Sequence, residues 1–194
     1  MTDISQITSL LNWKLLKGSH KWPGAEGGSC INEVAIVVAG FPYQAVAKPA
    51  DLPRSFSKEL GTLLLYLNDA LCEERRQKLK RFVLRLPGSK DTVSVEMERC
   101  QFLRDACRPL LPLLIQDSLA GSLRTGGERL AFVARLGELI GRSMKLASPA
   151  AADAMLDSTL AIIEVTFDIG RQAAPVDPGV AEARLAGAKV LAPV

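Results

Sequence analysis

Residues 58–86, KELGTLLLYLNDALCEERRQKLKRFVLRL, carry the apolar spacing that decides the fold class. From Leu60 onward leucines recur every three or four positions, which is the spacing of one face of an α-helix. The same spacing resumes at Leu79, but there the intervening positions are strongly charged. We therefore expect two helices joined near residues 69–73, the first apolar on most sides and the second with a charged face.

Helical spacing interrupted by glycine and proline continues in both directions along the chain. The further predicted helices are 4–17, 30–39 with Ser29 as N-cap, 93–121 capped by Thr92 with a kink or end at Pro109 and Pro112, 128–147, 148–172, and a short helix from Asp177. No segment alternates apolar and polar residues as a half-buried strand would. The predicted fold class is all-α, a compact bundle of about seven helices with irregular Gly/Pro-rich loops. Residues 1–172 are expected to form a single helical domain, followed by an Ala/Pro-rich linker and short helix over 173–194.

Composition limits the classes of function. The 194 residues are 48% hydrophobic, enough for one substantial core. With 24 basic and 21 acidic residues the net charge is +3, too mild a bias to identify nucleic acid as the partner. The first ten residues lack the charged and apolar regions of a signal peptide, and no apolar run is long enough to cross a membrane. We expect a cytoplasmic protein without a membrane association, and the oligomeric state stays open.

The four cysteines are expected to be free thiols, because none forms a C-x-x-C pair and nothing indicates secretion. Cys100 and Cys107 lie on one predicted helix, seven residues and therefore about 10 Å apart, too far to share one zinc ion easily. The sequence predicts no metal site and no cofactor.

The segment KGSHKWPGAEGGSCINE, residues 17–33, contains the only histidine of the chain. In an enzyme, Cys30 at the start of a helix would be the nucleophile, His20 the base and Glu33 its orienting partner. The alternative is structural: the glycines form a tight entry to the helix, Cys30 is a small buried residue, and His20 bonds to the loop backbone. The spacing of cysteine and histidine favours the structural alternative, because it matches no nucleophile signature.

The strongest charge feature is the basic helix predicted over about 73–86. Its cations are Arg75, Arg76, Lys78, Lys80, Arg81 and Arg85. They are expected to form a cationic outer face that binds an acidic protein surface or nucleic-acid phosphate, or is simply solvated. The apolar residues of this segment, Leu79, Phe82, Val83 and Leu86, form one stripe that is predicted to face inward. No aromatic ring therefore interleaves with the cations on the charged face, as happens in many nucleic-acid-binding modules.

The motifs GSH-x-x-P and GGSC-x-x-E, followed by the apolar segment ending in AGFPY, resemble those of a family of uncharacterised bacterial and phage proteins. The resemblance spans roughly residues 14–120. It implies a bacterial or mobile-element origin and no particular activity.

Together these patterns favour a non-enzymatic interaction or regulatory module. We expect it to bind a protein partner through the basic helix and the His20 to Cys30 loop, for example as a mobile-element inhibitor of a host complex. Two alternatives remain open: a hydrolase or transferase using Cys30 and His20, and a nucleic-acid-binding protein using the basic helix.

Overall fold

The computed structural model describes residues 13–21, 28–112, 116–170 and 173–190, and most of these residues are helical. The described residues form seven α-helices: α1 (Ile31–Val38), α2 (Lys58–Ala70), α3 (Glu73–Gln77), α4 (Val93–Cys107), α5 (Gly126–Leu146), α6 (Pro149–Asp168) and α7 (Pro178–Val190). Short 3₁₀ turns lie at Pro49–Asp51, Lys78–Phe82, Arg108–Leu110 and Asp117–Leu119. The predicted all-α class is confirmed, and no helix within the described ranges is long and apolar enough to cross a membrane.

A two-residue parallel strand pair departs from the predicted helix 4–17. Residues 4–12 lie outside the described part of the chain, but β1 (Lys14–Leu15) pairs with β2 (Gly28–Ser29) instead of continuing a helix. The side-chain amide of Gln77 bonds to β1 as a neighbouring strand would. It accepts from Leu15 N and donates to Leu15 O, both at 2.9 Å. The prediction was wrong for residues 13–17 because contacts with distant segments, absent from the local pattern, satisfy this backbone.

Helices α2 and α5 pack closely against each other. Gly137 and Gly141 lie one turn apart on α5 and allow its backbone to approach α2. A Cβ at Gly137 would stand 3.0 Å from the Cβ of Tyr66, and one at Gly141 would overlap the Cβ of Ala70. Two glycines therefore set the distance between the two helices at the centre of the core.

The predicted charged helix after Cys72 is broken into two pieces. α3 ends at Gln77, and Lys78–Phe82 forms a 3₁₀ turn. The apolar positions predicted to face inward are nevertheless all buried: Leu79, Phe82, Val83 and Leu86. The segment thus keeps its inward face without remaining one helix.

The last helix, α7, packs on α1. Ala181 and Leu185 are fully buried and belong to the same core as the rest of the described chain. Arg184 donates to the carbonyl of Val38 at 2.6 Å, at the C-terminal end of α1. α7 therefore packs on the same core as the helices before it and contacts the C-terminal end of α1.

Candidate functional site

A buried carboxylate lies at the centre of the motif region. The Glu33 side chain is fully buried and accepts hydrogen bonds from Cys30 N at 2.8 Å, His20 N at 2.9 Å, Val46 N at 3.0 Å and the Ser19 hydroxyl at 3.1 Å. The ring nitrogen Nδ1 of His20 lies 3.3 Å from its second oxygen. The Glu33 carboxylate therefore holds together the start of α1, residues 19–20 and the segment around Val46.

The start of α1 explains how Glu33 reaches these groups. The helix begins at Ile31 with Cys30 as its N-cap residue, so the predicted capping by Ser29 was wrong. Ser29 lies in β2, and its hydroxyl accepts instead from the indole nitrogen of Trp13 at 2.9 Å. Glu33 occupies the third helical position, from which its carboxylate turns back to the Cys30 amide as in a capping box.

Tyr43 closes the other side of the His20 loop. Its hydroxyl donates to the carbonyl of His20 at 3.0 Å. Burial of the phenol, reinforced by the negative charge of Glu33, raises the pKa of Tyr43 well above its ordinary value of 10.0. Tyr43 therefore remains a hydrogen-bond donor at neutral pH.

Cys30 is placed unlike a reactive thiol. It is fully buried, and that burial, followed by the nearby charge of Glu33, raises the pKa of the thiol far above 9.0. A nucleophilic cysteine needs the opposite shift and access to solvent. Asn32, the neighbour of Glu33, donates to the carbonyl of Gly61 at 2.9 Å. The structure thus joins His20 to Glu33 but leaves Cys30 in the position of a core residue.

The basic segment does not form the expected outer cationic face. Three of its cations lie against acidic residues of α6. The pairs are Arg75 with Asp153 (2.9 Å), Lys78 with Asp157 (3.0 Å), and Arg85 with Glu164 (2.6 Å) and Asp168. Arg85 also lies over the ring of Phe167, 4.9 Å from its centroid. Much of the predicted binding surface is therefore an internal contact between two parts of the same chain.

Two more of the six cations are buried. The guanidinium of Arg76 donates to the carbonyls of Asn68 at 2.6 Å and Leu71 at 2.7 Å, where it covers the end of α2. Lys80 is 7% exposed, and burial lowers the pKa of its amine. The sequence signal that could have revealed this arrangement is the acidic spacing of four, seven and four residues along one side of α6.

A different region, in which the Tyr43–His20 and Val46–Glu33 hydrogen bonds join residues 17–21 to residues 41–48, carries exposed cations and an exposed aromatic ring. We call it the loop face and define it as Lys17, Lys21, Phe41 and Lys48, with the partly exposed His20 and Tyr43. Phe41 is 44% exposed. The segments 13–21 and 41–51 hold four lysines and one acid, Asp51, whose carboxylate accepts from the Ala47 and Lys48 amides, both at 3.0 Å. The sequence analysis identified the His20 loop as a candidate binding region but not Phe41 or Lys48. Their segment is joined to the His20 loop through the hydrogen bonds of Tyr43 and Val46, which the local sequence does not reveal.

No group of three histidine, cysteine or acidic side chains is arranged to hold a metal ion within the ranges that the structure describes. Comparison of the chain with protein-family models, curated proteins and solved structures found no match. The resemblance of residues 14–120 to bacterial and phage proteins therefore stays a prediction.

Proposed function

We propose that this chain is a non-enzymatic interaction module that binds an acidic protein partner through the loop face. The observation that supports this most directly is the charge arrangement of that surface. Its lysines are exposed, whereas the carboxylates of the same region are turned toward backbone amides.

The electrostatic argument starts from the three exposed lysines. Among the described residues, no carboxylate forms an ion pair with Lys17, Lys21 or Lys48, while Lys14 pairs with Glu73. A surface whose cations are left unneutralised attracts acidic partners and raises the rate of their encounter. The loop face thus has the charge that was expected of the basic segment.

The aromatic residues add an anchor to this charge. Large rings at the centre of an interface contribute much of the binding energy, and Phe41 is an exposed ring on the segment that Tyr43 fixes. Glu33 and Tyr43 hold the backbone of both segments in place through hydrogen bonds. A surface ordered before binding loses less conformational entropy when the partner arrives.

This proposal keeps the interaction class and moves the principal contact from the basic segment to the loop face. The reason is that α6 already neutralises Arg75, Lys78 and Arg85. Inhibition of a host complex by a mobile-element protein remains a hypothesis about the purpose of such binding. A small module with a preformed charged surface is compatible with that role.

The test is a tagged pull-down from bacterial lysate, with and without nuclease. The loop-face variant carries Lys17→Glu, Lys21→Glu and Lys48→Glu, with Phe41→Ala as a separate variant. The matched control reverses three exposed cations elsewhere, Arg124→Glu, Arg135→Glu and Lys145→Glu. We expect a partner protein to co-purify with the wild type and with the control variant, and to do so equally after nuclease treatment. Neither loop-face variant should retain that partner.

Other outcomes separate the alternatives. A partner that disappears on nuclease treatment, with affinity that falls steeply as salt rises, would mean that the loop face binds nucleic acid. If the control variant lost the partner equally, the net charge of the chain, and not the loop face, would account for the binding. Rapid alkylation of Cys30 in the folded chain would favour the enzyme alternative, since the structure predicts that this thiol is protected.

A further inference from the structure

We propose that His20 makes the loop face responsive to pH: below about pH 7 its ring gains a second proton, on Nε2, and the loop face then binds acidic partners more tightly. This inference rests on the proposed function and names the regulation of the same surface. It follows from the contacts of the His20 ring, from the groups that surround the ring, and from the charge of the loop face.

The contacts of the ring give its two nitrogens different roles. Nδ1 lies 3.3 Å from an oxygen of the buried Glu33 carboxylate. The three backbone amides and the Ser19 hydroxyl that also reach this carboxylate all donate to it. Because a carboxylate accepts hydrogen bonds, the neutral imidazole carries its proton on Nδ1. The nitrogen that gains a proton is therefore Nε2.

Nε2 is placed to meet a partner. The two nitrogens of an imidazole diverge, so a ring that turns Nδ1 toward Glu33 turns Nε2 away from it. The side chain of His20 is 24% exposed, and none of the residues that the structure describes bonds to Nε2. A proton gained there forms a charged N–H donor beside the exposed Lys21, and such a donor bonds strongly to a carboxylate.

The charged and titratable groups around the ring come from four parts of the chain. They are Glu33 and Cys30 at the start of α1, Tyr43 and Lys48 on the following segment, Lys17 and Lys21 on the segment of His20 itself, and Asp69 of α2, which accepts from Gly18 N. Burial, followed by the charge of Glu33, raises the pKa of Cys30 and of Tyr43, so both keep their protons.

His20 is the only histidine of the chain, which makes its titration separable from that of other groups. Between about pH 7.5 and about pH 5.5 the imidazole is the side chain that ordinarily titrates, whereas carboxylates titrate below this interval and lysine amines above it. A change of affinity within the interval therefore reports on His20.

The sign of the response follows from the charges that face the ring. Glu33 favours a charged ring, whereas the lysines of the loop face oppose it in the free chain. An acidic partner neutralises those lysines and offers a carboxylate to Nε2, so the charged ring gains more from the complex than the neutral ring does. Affinity should therefore rise as the pH falls, by at most about tenfold per pH unit because one proton is taken up.

The experiment measures the affinity of the full chain for an acidic peptide at constant ionic strength. The probe is a peptide of aspartate and glycine, labelled with rhodamine at its amino end and amidated at the other, so that none of its groups titrates in the interval. Binding is followed by fluorescence anisotropy. We expect the wild type to bind about three- to tenfold more tightly at about pH 5.5 than at about pH 7.5.

Two substitutions of the same residue separate its charge from its place in the loop. His20→Gln cannot gain a charge and should bind weakly throughout the interval, whereas His20→Lys carries a permanent charge and should bind tightly throughout it. Circular dichroism at both pH values checks that each variant keeps the helical content of the wild type. In the wild type, the ring-proton NMR signals of the single histidine should titrate at a higher pH when the peptide is present.

The Lys17→Glu/Lys21→Glu/Lys48→Glu variant tests the proposed function separately, since it should lose the peptide at every pH. If the wild type binds through these lysines with equal affinity across the interval, the role of His20 is overturned and the proposed function stands. A His20→Gln variant that keeps the wild-type pH response has the same meaning. Failure of the wild type to bind the peptide at any pH contradicts both.

Discussion

At the scale of single residues, Glu33 is the most informative side chain of the motif region. Its carboxylate is removed from water, and the hydrogen bonds from three backbone amides and the Ser19 hydroxyl replace its hydration. Removing one member of such a buried network leaves the other polar groups unsatisfied, which costs more than the net gain of an ordinary hydrogen bond. Glu33 should therefore be the residue on which the position of the His20 loop depends.

We predict that Glu33→Gln lowers the free energy of unfolding by about 2–4 kcal/mol, because the new amide group presents donors to donors. Urea unfolding followed by circular dichroism measures the change. The matched control is Glu98→Gln on the exposed face of α4, for which we expect a change within about 0.5 kcal/mol. Equal stability of the two variants would show that the Glu33 network contributes little.

The sequence could connect His20 with Glu33 but could not determine the environment of Cys30. The proximity of histidine and glutamate was suggested by residue type alone, and the structure places them 3.3 Å apart. The fully buried thiol lies where two distant segments reach the start of α1: β1 pairs with the residues just before Cys30, and Val46 bonds to Glu33. No local pattern encodes those contacts.

At the scale of elements, the ion pairs between α6 and the basic segment contribute unequally to stability. Lys78 and Asp157 are largely exposed, with 41% and 65% of their side-chain surfaces accessible, so water screens their attraction. Arg85 is 22% exposed, contacts two carboxylates and covers the ring of Phe167. Geometry and burial therefore favour Arg85 as the principal polar contact to α6.

We expect Arg85→Ala to lower the free energy of unfolding by about 1–2 kcal/mol, through lost ion pairing, cation–π contact and packing of its stem. Lys78→Ala should change it by at most about 0.5 kcal/mol. A double-mutant cycle of Arg85 with Glu164, measured at low and high salt, reports the coupling. Similar effects of the two substitutions would contradict this ranking.

Gly141 and Gly127, both on α5, give predictions of opposite sign for the same substitution to alanine. Gly141→Ala introduces a Cβ that overlaps Ala70, so we expect it to lower the free energy of unfolding by about 1–3 kcal/mol despite the better helix propensity of alanine. Gly127 lies in the first turn of the same helix with nothing within 4 Å of an added Cβ. Gly127→Ala should be neutral or stabilising by up to about 1 kcal/mol. Thermal melts of both variants test the pair, and destabilisation by Gly127→Ala alone would reverse the interpretation.

The existence of α5 and α6 was predictable from their long apolar spacing, whereas the similar spacing before Gly18 was misleading, since Lys14–Leu15 is a strand. α5 and α6 follow their predicted segments because N-caps Thr125 and Ser148 stand just before them and each accepts from a backbone amide. The change from α-helix to 3₁₀ turn after Gln77 was not predictable, since residues 73–86 contain no glycine or proline that would mark it. The bonds of the Gln77 side chain to Leu15, 62 residues away, are likewise absent from the local pattern. Propensity alone cannot anticipate a contact of that range.

At the scale of the whole molecule, one continuous core joins α1 to α7 and includes three buried thiols, Cys30, Cys100 and Cys107. Burial raises the pKa of Cys100 and of Cys107 to about 12, from an ordinary value of 9.0. The folded chain therefore keeps these protons at pH values where the unfolded chain releases them. Their contribution to stability is complete below pH 9 and is lost as the pH rises from 9 toward 12.

We predict that the free energy of unfolding falls more steeply with alkaline pH in the wild type than in the Cys100→Ala/Cys107→Ala variant. Each thiol adds a slope of at most about 1.4 kcal/mol per pH unit. Urea unfolding from about pH 8 to about pH 11 gives the two slopes, which are compared instead of the absolute stabilities because the truncations also leave cavities. The exposed Cys72→Ala variant is the control and should follow the wild type. Parallel curves for all three proteins would contradict the prediction.

The contact between Arg184 and Val38 also bears on how the chain folds during its synthesis on the ribosome. The two residues are 146 positions apart, and translation proceeds at about 5–20 residues per second, so the ribosome needs on the order of ten seconds to make the second after the first. For that period the apolar residues of α1 have no α7 to cover them, although helices themselves form in about a microsecond. Chaperones that bind nascent apolar segments therefore have ample time to reach α1, and the speed of translation, more than the speed of helix formation, sets the length of that exposure.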